Sequence, residues 1–352
     1  MSSLETARNV HLVGTVPMAD TGEVFAKVAA KLAPFLKRVP DGETGVRHYW
    51  ITSQARVLHY HPQFEPADHN WSPESGAPPP AGAPKYRLKP GVDAGAVELP
   101  SFGYGAFARA SYQEFRKAKA AGMIAADTRF QVCLPTPLAF MLGIVAPECR
   151  TAIGPAMDRR VAGELADVCA AVPAEELAIQ WDVCLEIYVW EGIRDTYFAD
   201  PKAGCIERLV ALGDLVPRSV ELGFHFCYGD FKHAHAVEPK DMQNMVTMAN
   251  AIAAGLRRPV SWWHMPVPRD RDDGAYFAPT KGLKDSPETE LYLGLVHHTD
   301  AEPGTLRRMA AADRCLDRPY GISTECGWGR RDKATIPRLV DIHLQCARGI
   351  AA

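Results

Sequence analysis

Short apolar runs alternate along the chain with longer stretches whose apolar positions recur at helical spacing. That alternation is the mark of βα units on a parallel sheet. The runs predict strands at Asn9–Val13, Lys37–Pro40, Arg129–Leu134, Ala178–Asp182, Glu221–His225, Pro259–His264, Leu291–His297 and Tyr320–Thr324. The amphipathic stretches predict helices at Gly22–Leu36, Ala108–Ala121, Ala156–Ala171, Cys205–Leu215, Pro239–Leu256, Gly304–Asp313 and Ile336–Arg348. In the first of these, Val24, Phe25, Val28, Leu32 and Phe35 fall on one face. Eight strands is the number that closes a (β/α)8 TIM barrel. An open doubly wound sheet is the alternative with the same pattern. After the second strand the alternation breaks, from Asp41 to Asp127, around a Pro/Gly-rich run from Trp71 to Gly91. A segment of that length reads as an insertion or lid (residues 41–127) within one α/β domain spanning residues 1–352.

Composition narrows the class. The 352 residues are 47% hydrophobic and 23% charged, ordinary for a globular protein. The formal net charge is −3 with no basic run, which argues against nucleic acid or an anionic membrane surface as partner. Met1 to Asn9 is polar, without the apolar core of a signal peptide, and a cytoplasmic location is expected. A homo-oligomer is compatible with the pattern. The nine cysteines lie mostly inside apolar patterns. They read as small buried groups, with exceptions expected to be metal ligands or reactive thiols.

Two segments carry candidate chemistry. In Phe224-His225-Phe226-Cys227-Tyr228-Gly229-Asp230-Phe231 an imidazole and a thiol two residues apart on an extended chain face the same side. They stand where a barrel strand ends on its catalytic face, and both are zinc-ligand types. Cys326, in Glu325-Cys326-Gly327-Trp328-Gly329, follows the last strand at the same end. Either segment alone also suits a buried strand end or a tight turn. His264 is a further ligand candidate, or a histidine packed beside Trp262 and Trp263. His297 and His298 are candidates for proton transfer; only one of two neighbours on a strand can face the site. Among the carboxylates near strand ends (Asp41, Glu43, Asp182, Glu186), Asp182 is favoured because a charge ending an apolar strand needs a partner.

In this order the pieces resemble the catalytic barrel of cobalamin-independent methionine synthase. Val13-Gly14-Thr15-Val16-Pro17 is similar to that family's opening turn, which makes Gly14 and Thr15 substrate-binding candidates. Gly42-Glu43 and Gln180-Trp181-Asp182 are similar to the segments whose carboxylates hold the amino group of homocysteine. His225-Phe226-Cys227-Tyr228-Gly229-Asp230-Phe231 and Glu325-Cys326-Gly327 resemble the zinc motifs, with Asp230 carried along as a catalytic candidate. His298, ahead of His297, falls where the family places its proton relay. The chain departs from the family in having room for one barrel. It also has Asp182-Val183-Cys184 where the family has Asp-Glu-Pro, and His264 where a carboxylate often binds zinc.

The resemblance implies a zinc-dependent transferase that activates a thiol as a zinc-bound thiolate and moves a methyl or alkyl group onto it. Its partners would be a small-molecule thiol, homocysteine-like, and a methyl or alkyl donor. Its zinc would be held by His225, Cys227 and Cys326, with His264 or an open position fourth. The rival readings are an epoxyalkane–thiol transferase, a metal-free barrel like uroporphyrinogen decarboxylase, and a barrel whose zinc is structural.

Overall fold

The computed structural model describes residues 7–75, 84–231 and 234–349. Among the described residues nine strands run in chain order: β1 (Arg38–Pro40), β2 (Phe64–Pro66), β3 (Tyr86–Leu88), β4 (Arg129–Pro135), β5 (Leu177–Val183), β6 (Glu221–Phe226), β7 (Trp262–Pro266), β8 (Glu290–Gly294) and β9 (Gly321–Ile322). Strands β2 and β3 form a separate antiparallel pair. The other seven make one curled sheet in the order β1-β4-β5-β6-β7-β8-β9, parallel at every junction. β5 and β7 are buried at every position, as strands covered on both faces must be. The helices cover the outer face; Arg150–Ala171 turns Ile153, Met157, Val161, Leu165 and Val168 inward. On that side Trp263 is fully buried, its ring stacked at 5.3 Å on Phe224 and 5.8 Å on Phe226.

The first predicted strand, Asn9–Val13, survives only as single bridges from Val10 to Leu36 and to Ile322. The reason lies in where its carbonyls point. Leu12 and Val13 offer theirs to glutamine amides rather than to a ladder: Gln131 Nε2 donates to Leu12 O at 3.0 Å, and Gln180 Nε2 to Val13 O at 2.7 Å. Predicted strand Leu291–His297 ends early for a similar reason. Past Gly294 the chain tightens, with Leu295 N donating to Leu293 O at 2.8 Å and Val296 N to Ser323 O at 2.9 Å. The sheet interior is therefore partly polar: His11, Gln131, Gln180 and His264 are all buried.

The insertion is more structured than its composition suggested. It holds a 3₁₀ stretch at Gly45–Gln54, a helix at Ala55–His59, the β2–β3 pair and the long helix Tyr104–Ala120. Residues 76–83 of the Pro/Gly-rich run lie outside the described residues, as do residues 1–6 of the polar start. Two helices lack the expected polar face and escaped the periodicity: Pro137–Ile144, almost wholly buried, and Leu185–Trp190 directly after β5. Helix Arg150–Ala171 begins earlier than expected and carries Pro155 within it. Among the described residues no helix is long and apolar enough to cross a membrane.

Candidate metal centre

Strand β6 delivers His225 and leads directly into Cys227, and period-two alternation turns both to the inner face. The loop after β9 brings Cys326 to meet them. Thr324 Oγ1 donates to Cys326 O at 2.7 Å and accepts from Trp328 Nε1 at 2.8 Å, while Trp328 N donates to Thr15 O at 2.7 Å. Gly327 is required here, because a Cβ would sit 2.2 Å from Thr15 Oγ1. The outcome is a 3.7 Å contact between Cys227 Sγ and Cys326 Sγ, with donor atoms of His225, Cys227 and Cys326 all within 4.8 Å of one another. These three residues can hold a cation.

His264 stands behind this group. Its Nε2 lies 3.0 Å from Thr324 O, and its Nδ1 lies 2.7 Å from His225 Nδ1. A carbonyl only accepts, so His264 Nε2 carries a proton. Burial pushes the His264 pKa down to about 3, so the ring is neutral and its Nδ1 is a bare acceptor. His225 Nδ1 must then donate. His225 is held well below its ordinary value by burial first, then by the neighbouring His264 and His11, so it is neutral as well. Its Nε2 is left as a lone pair, buried and without a hydrogen-bond partner. With both nitrogens in hydrogen bonds, His264 orients the His225 ring. Replacing it with leucine removes that orientation and should weaken metal binding about 10–100-fold, read by competition against a chelating dye.

A cavity of about 450 Å³ opens on the three donors. Gly14, Thr15, Glu43 and Asp182 line it together with Trp50, Ile51, Leu142, Tyr188, Lys85, Arg194 and Arg330. The turn bearing Glu43 is unusual: Gly42, Glu43 and Gly45 all have positive φ, at 80°, 45° and 69°. Asp41 holds it, accepting from Glu43 N at 2.8 Å and from Arg47 Nη2 and Ser111 Oγ at 2.7 Å each. Asp41 is thus a buttress, and Glu43 is the residue it presents. Trp50, at φ 51°, ψ −134°, brings its indole to Asp182. Two non-glycine residues in such sparsely populated backbone regions thus stand beside one cavity.

Burial, then the nearby Asp182, pushes the Glu43 carboxyl well up; burial raises Asp182 to about 7. A carboxyl whose folded pKa is raised destabilises the fold as it ionises. Its contribution is intact below the unfolded value of about 4 and fades as pH rises through about 7. Asp182→Asn should therefore match the parent in thermal unfolding near pH 4 and melt several degrees higher than it by about pH 8.

His297 and His298 lie in a neighbouring cavity of about 460 Å³, which shares Gly229, Asp230, Cys326 and Gly327 with the first. His297 Nε2 donates to Val267 O at 2.9 Å, and its Nδ1 is 3.5 Å from Glu325 Oε2. His298 is half-buried and lines the same space. His235 Nε2 approaches Glu325 Oε1 to 3.1 Å, as an ion contact without hydrogen-bond alignment. Burial alone would lower the His235 pKa, but Glu325 and Glu238 push it up to about 9. The sequence offered no signal for His235, Trp50, Tyr188, Lys85 or Arg194, because none stands in a strand-end motif. Cys184 was visible only as a departure from a pattern.

No family model matches the chain, and no curated protein matches it in sequence. Among solved structures, a Listeria monocytogenes protein named as a candidate vitamin B12-independent methionine synthase is similar at TM-score 0.54 and 12% identity, over 99% of each chain. The fold is that of the B12-independent methionine synthase-like proteins. A methyltransferase from Methanosarcina mazei shares it at TM-score 0.52 and 10% identity, over 96% of this chain and 94% of that one. Within the methionine synthase-like fold, His225, Cys227 and Cys326 stand together at the C-terminal edge of the sheet.

Proposed function

We propose that the chain is a zinc-dependent thiol alkyltransferase on a (β/α)8 barrel, with the Asn9–Val13 segment as the eighth stave. The observation that carries the reading is the meeting of one imidazole and two sulfurs, from segments about a hundred residues apart in sequence, over a cavity lined by Glu43 and Asp182. The donor set suits zinc. Two sulfurs bound at about 2.3 Å to one tetrahedral ion lie ~3.8 Å apart, close to the 3.7 Å between Cys227 and Cys326. The buried lone pair of His225 Nε2 also lacks any other partner. When bound, zinc would supply a positive charge that lowers the pKa of an entering thiol from about 8.5 into the range where it ionises at neutral pH.

The chain's own residues supply the rest. Glu43 and Asp182, recessed and carrying raised pKa values, would take the ammonium of an aminothiol, whose charge restores the ionised form of the pair. Trp50, Leu142 and Tyr188 keep water from the reacting atoms. The substrate sulfur forms its bond to the donor carbon as the carbon–leaving-group bond breaks. The leaving group takes a proton from His298, through the adjoining cavity that shares Asp230 and Cys326. A positioned acid of this kind contributes about 10²–10⁴-fold. Lys85, Arg194 and Arg330 line the same cavity and suit an anionic substituent on either reactant. The test is metal analysis of the purified protein, then a screen of aminothiols and sulfonate thiols against methyl donors and epoxides. Alkylated thiol formed only by metal-loaded protein is the expected result. Absence of zinc together with a decarboxylase activity would overturn the reading.

A further inference from the structure

The three donors leave a tetrahedral ion one short, and three of the side chains nearby are engaged elsewhere. His264 has both nitrogens in hydrogen bonds. Glu325 faces His235 and His297. Glu186 Oε1 accepts from Thr136 Oγ1 at 2.5 Å. One thiol remains. Strands β5 and β6 pair Asp182 with His225 and Val183 with Phe226, and Cys227 N donates to Val183 O at 3.0 Å. Continuing that register sets Cys184 beside Cys227. The alternation that turns Asp182 inward turns Cys184 inward too, and both cysteines line the cavity. Cys184 is 6% exposed, at the wall of the cavity that Cys227 also lines. The Tyr188 hydroxyl packs against Gly229, and Tyr188 lines the same cavity.

We infer that Cys184 is the fourth protein donor of the metal centre and the one that yields its place to a substrate thiol. The inference rests on the zinc reading above. Chemically, a third thiolate supplies the negative charge that a carboxylate donor would otherwise bring, and it keeps the donor set soft. Geometrically, Cys184 stands outside the group whose atoms lie within 4.8 Å of one another, so it is the least committed of the four. A site with an exchangeable donor is catalytic rather than structural. The lone thiol after β5 thus becomes part of the chemistry rather than a filler of apolar space.

The experiment replaces zinc with Co²⁺ in the whole protein and reads the sulfur-to-cobalt charge-transfer absorption, which scales with the number of bound thiolates. Cys184→Ser and Cys326→Ser should each lose about a third of the intensity, one thiolate of three. Cys205→Ser, buried in helix Pro201–Leu215, should lose none. Adding 2-aminoethanethiol to the Cys184→Ser protein should restore the lost intensity. Full intensity in Cys184→Ser alongside the loss in Cys326→Ser overturns this inference and leaves the zinc reading standing. No charge-transfer band in the parent overturns both. Should Cys184→Ser not fold, iodoacetamide labelling of the parent decides the matter by peptide mass spectrometry. Cys184 must then react at least about tenfold more slowly with zinc than after chelation, and equal rates reject it.

Discussion

Serine in place of Cys326 is expected to cost at least about 10²-fold in zinc affinity and roughly 10³-fold in kcat/KM for thiol alkylation. The substitution trades a thiolate for a neutral, harder oxygen and so removes one of the negative donors that make the site hold a soft cation. The loop itself should persist. Two of its bonds run from Thr324 Oγ1 to Cys326 O and from Trp328 N to Thr15 O, and neither uses the thiol. Unfolding of the chelated variant should therefore track the chelated parent, which separates a lost ligand from a lost fold. Metal content by mass spectrometry and single-turnover alkylation are the two measurements. Full zinc with full activity would remove the mechanism. Full zinc with lost activity would reassign Cys326 from the ion to the substrate.

Trp263→Ala should produce the largest loss of stability, about 3–5 kcal/mol, seen as a fall in Tm on the order of 10 °C. The indole is fully buried between Phe224 and Phe226, and its Nε1 has no hydrogen-bond partner. The cost is therefore lost apolar contact and an unfilled cavity rather than a broken polar bond. Trp263→Phe should retain most of the stability. Urea titrations with unchanged slope would locate the effect in the folded state. A loss under about 1 kcal/mol would show that the layer repacks instead. Trp263 also precedes His264, so the alanine variant should weaken metal binding through the His225–His264 pair.

Seven of the eight predicted strands stand in the sheet, because parallel strands buried on both faces leave unbroken apolar runs in the sequence. The first was shortened by contacts no local pattern reveals: Gln131 and Gln180, far along the chain, take the carbonyls that a ladder would need. The cluster of His225, Cys227 and Cys326 was legible because each sits at or just past a strand end, in a short motif of uncommon residue types. His264 was legible as chemistry but not as a role. Whether it binds an ion or orients a neighbour depends on which nitrogen faces Thr324 O, a matter of three-dimensional geometry. His11 and Trp50 were invisible for a related reason. One lies in the interior of a curled sheet, and the other in a kinked stretch whose φ of 51° no propensity predicts.

Trp50, Ile51, Thr52 and Lys85 belong to the segment inserted after β1, whereas His225, Cys227, Asp182 and Cys326 belong to the ends of sheet strands or the loops just past them. Under the proposed chemistry, the reacting centre and one wall of its chamber are thereby written on separate stretches of polypeptide. On the same proposal, grafting a different stretch between Trp50 and Asp127 would exchange one wall of the chamber while leaving Glu43, Asp182 and the His225–Cys227–Cys326 cluster where they are. A library diversified there is the natural starting point for redirecting this scaffold to new reactants.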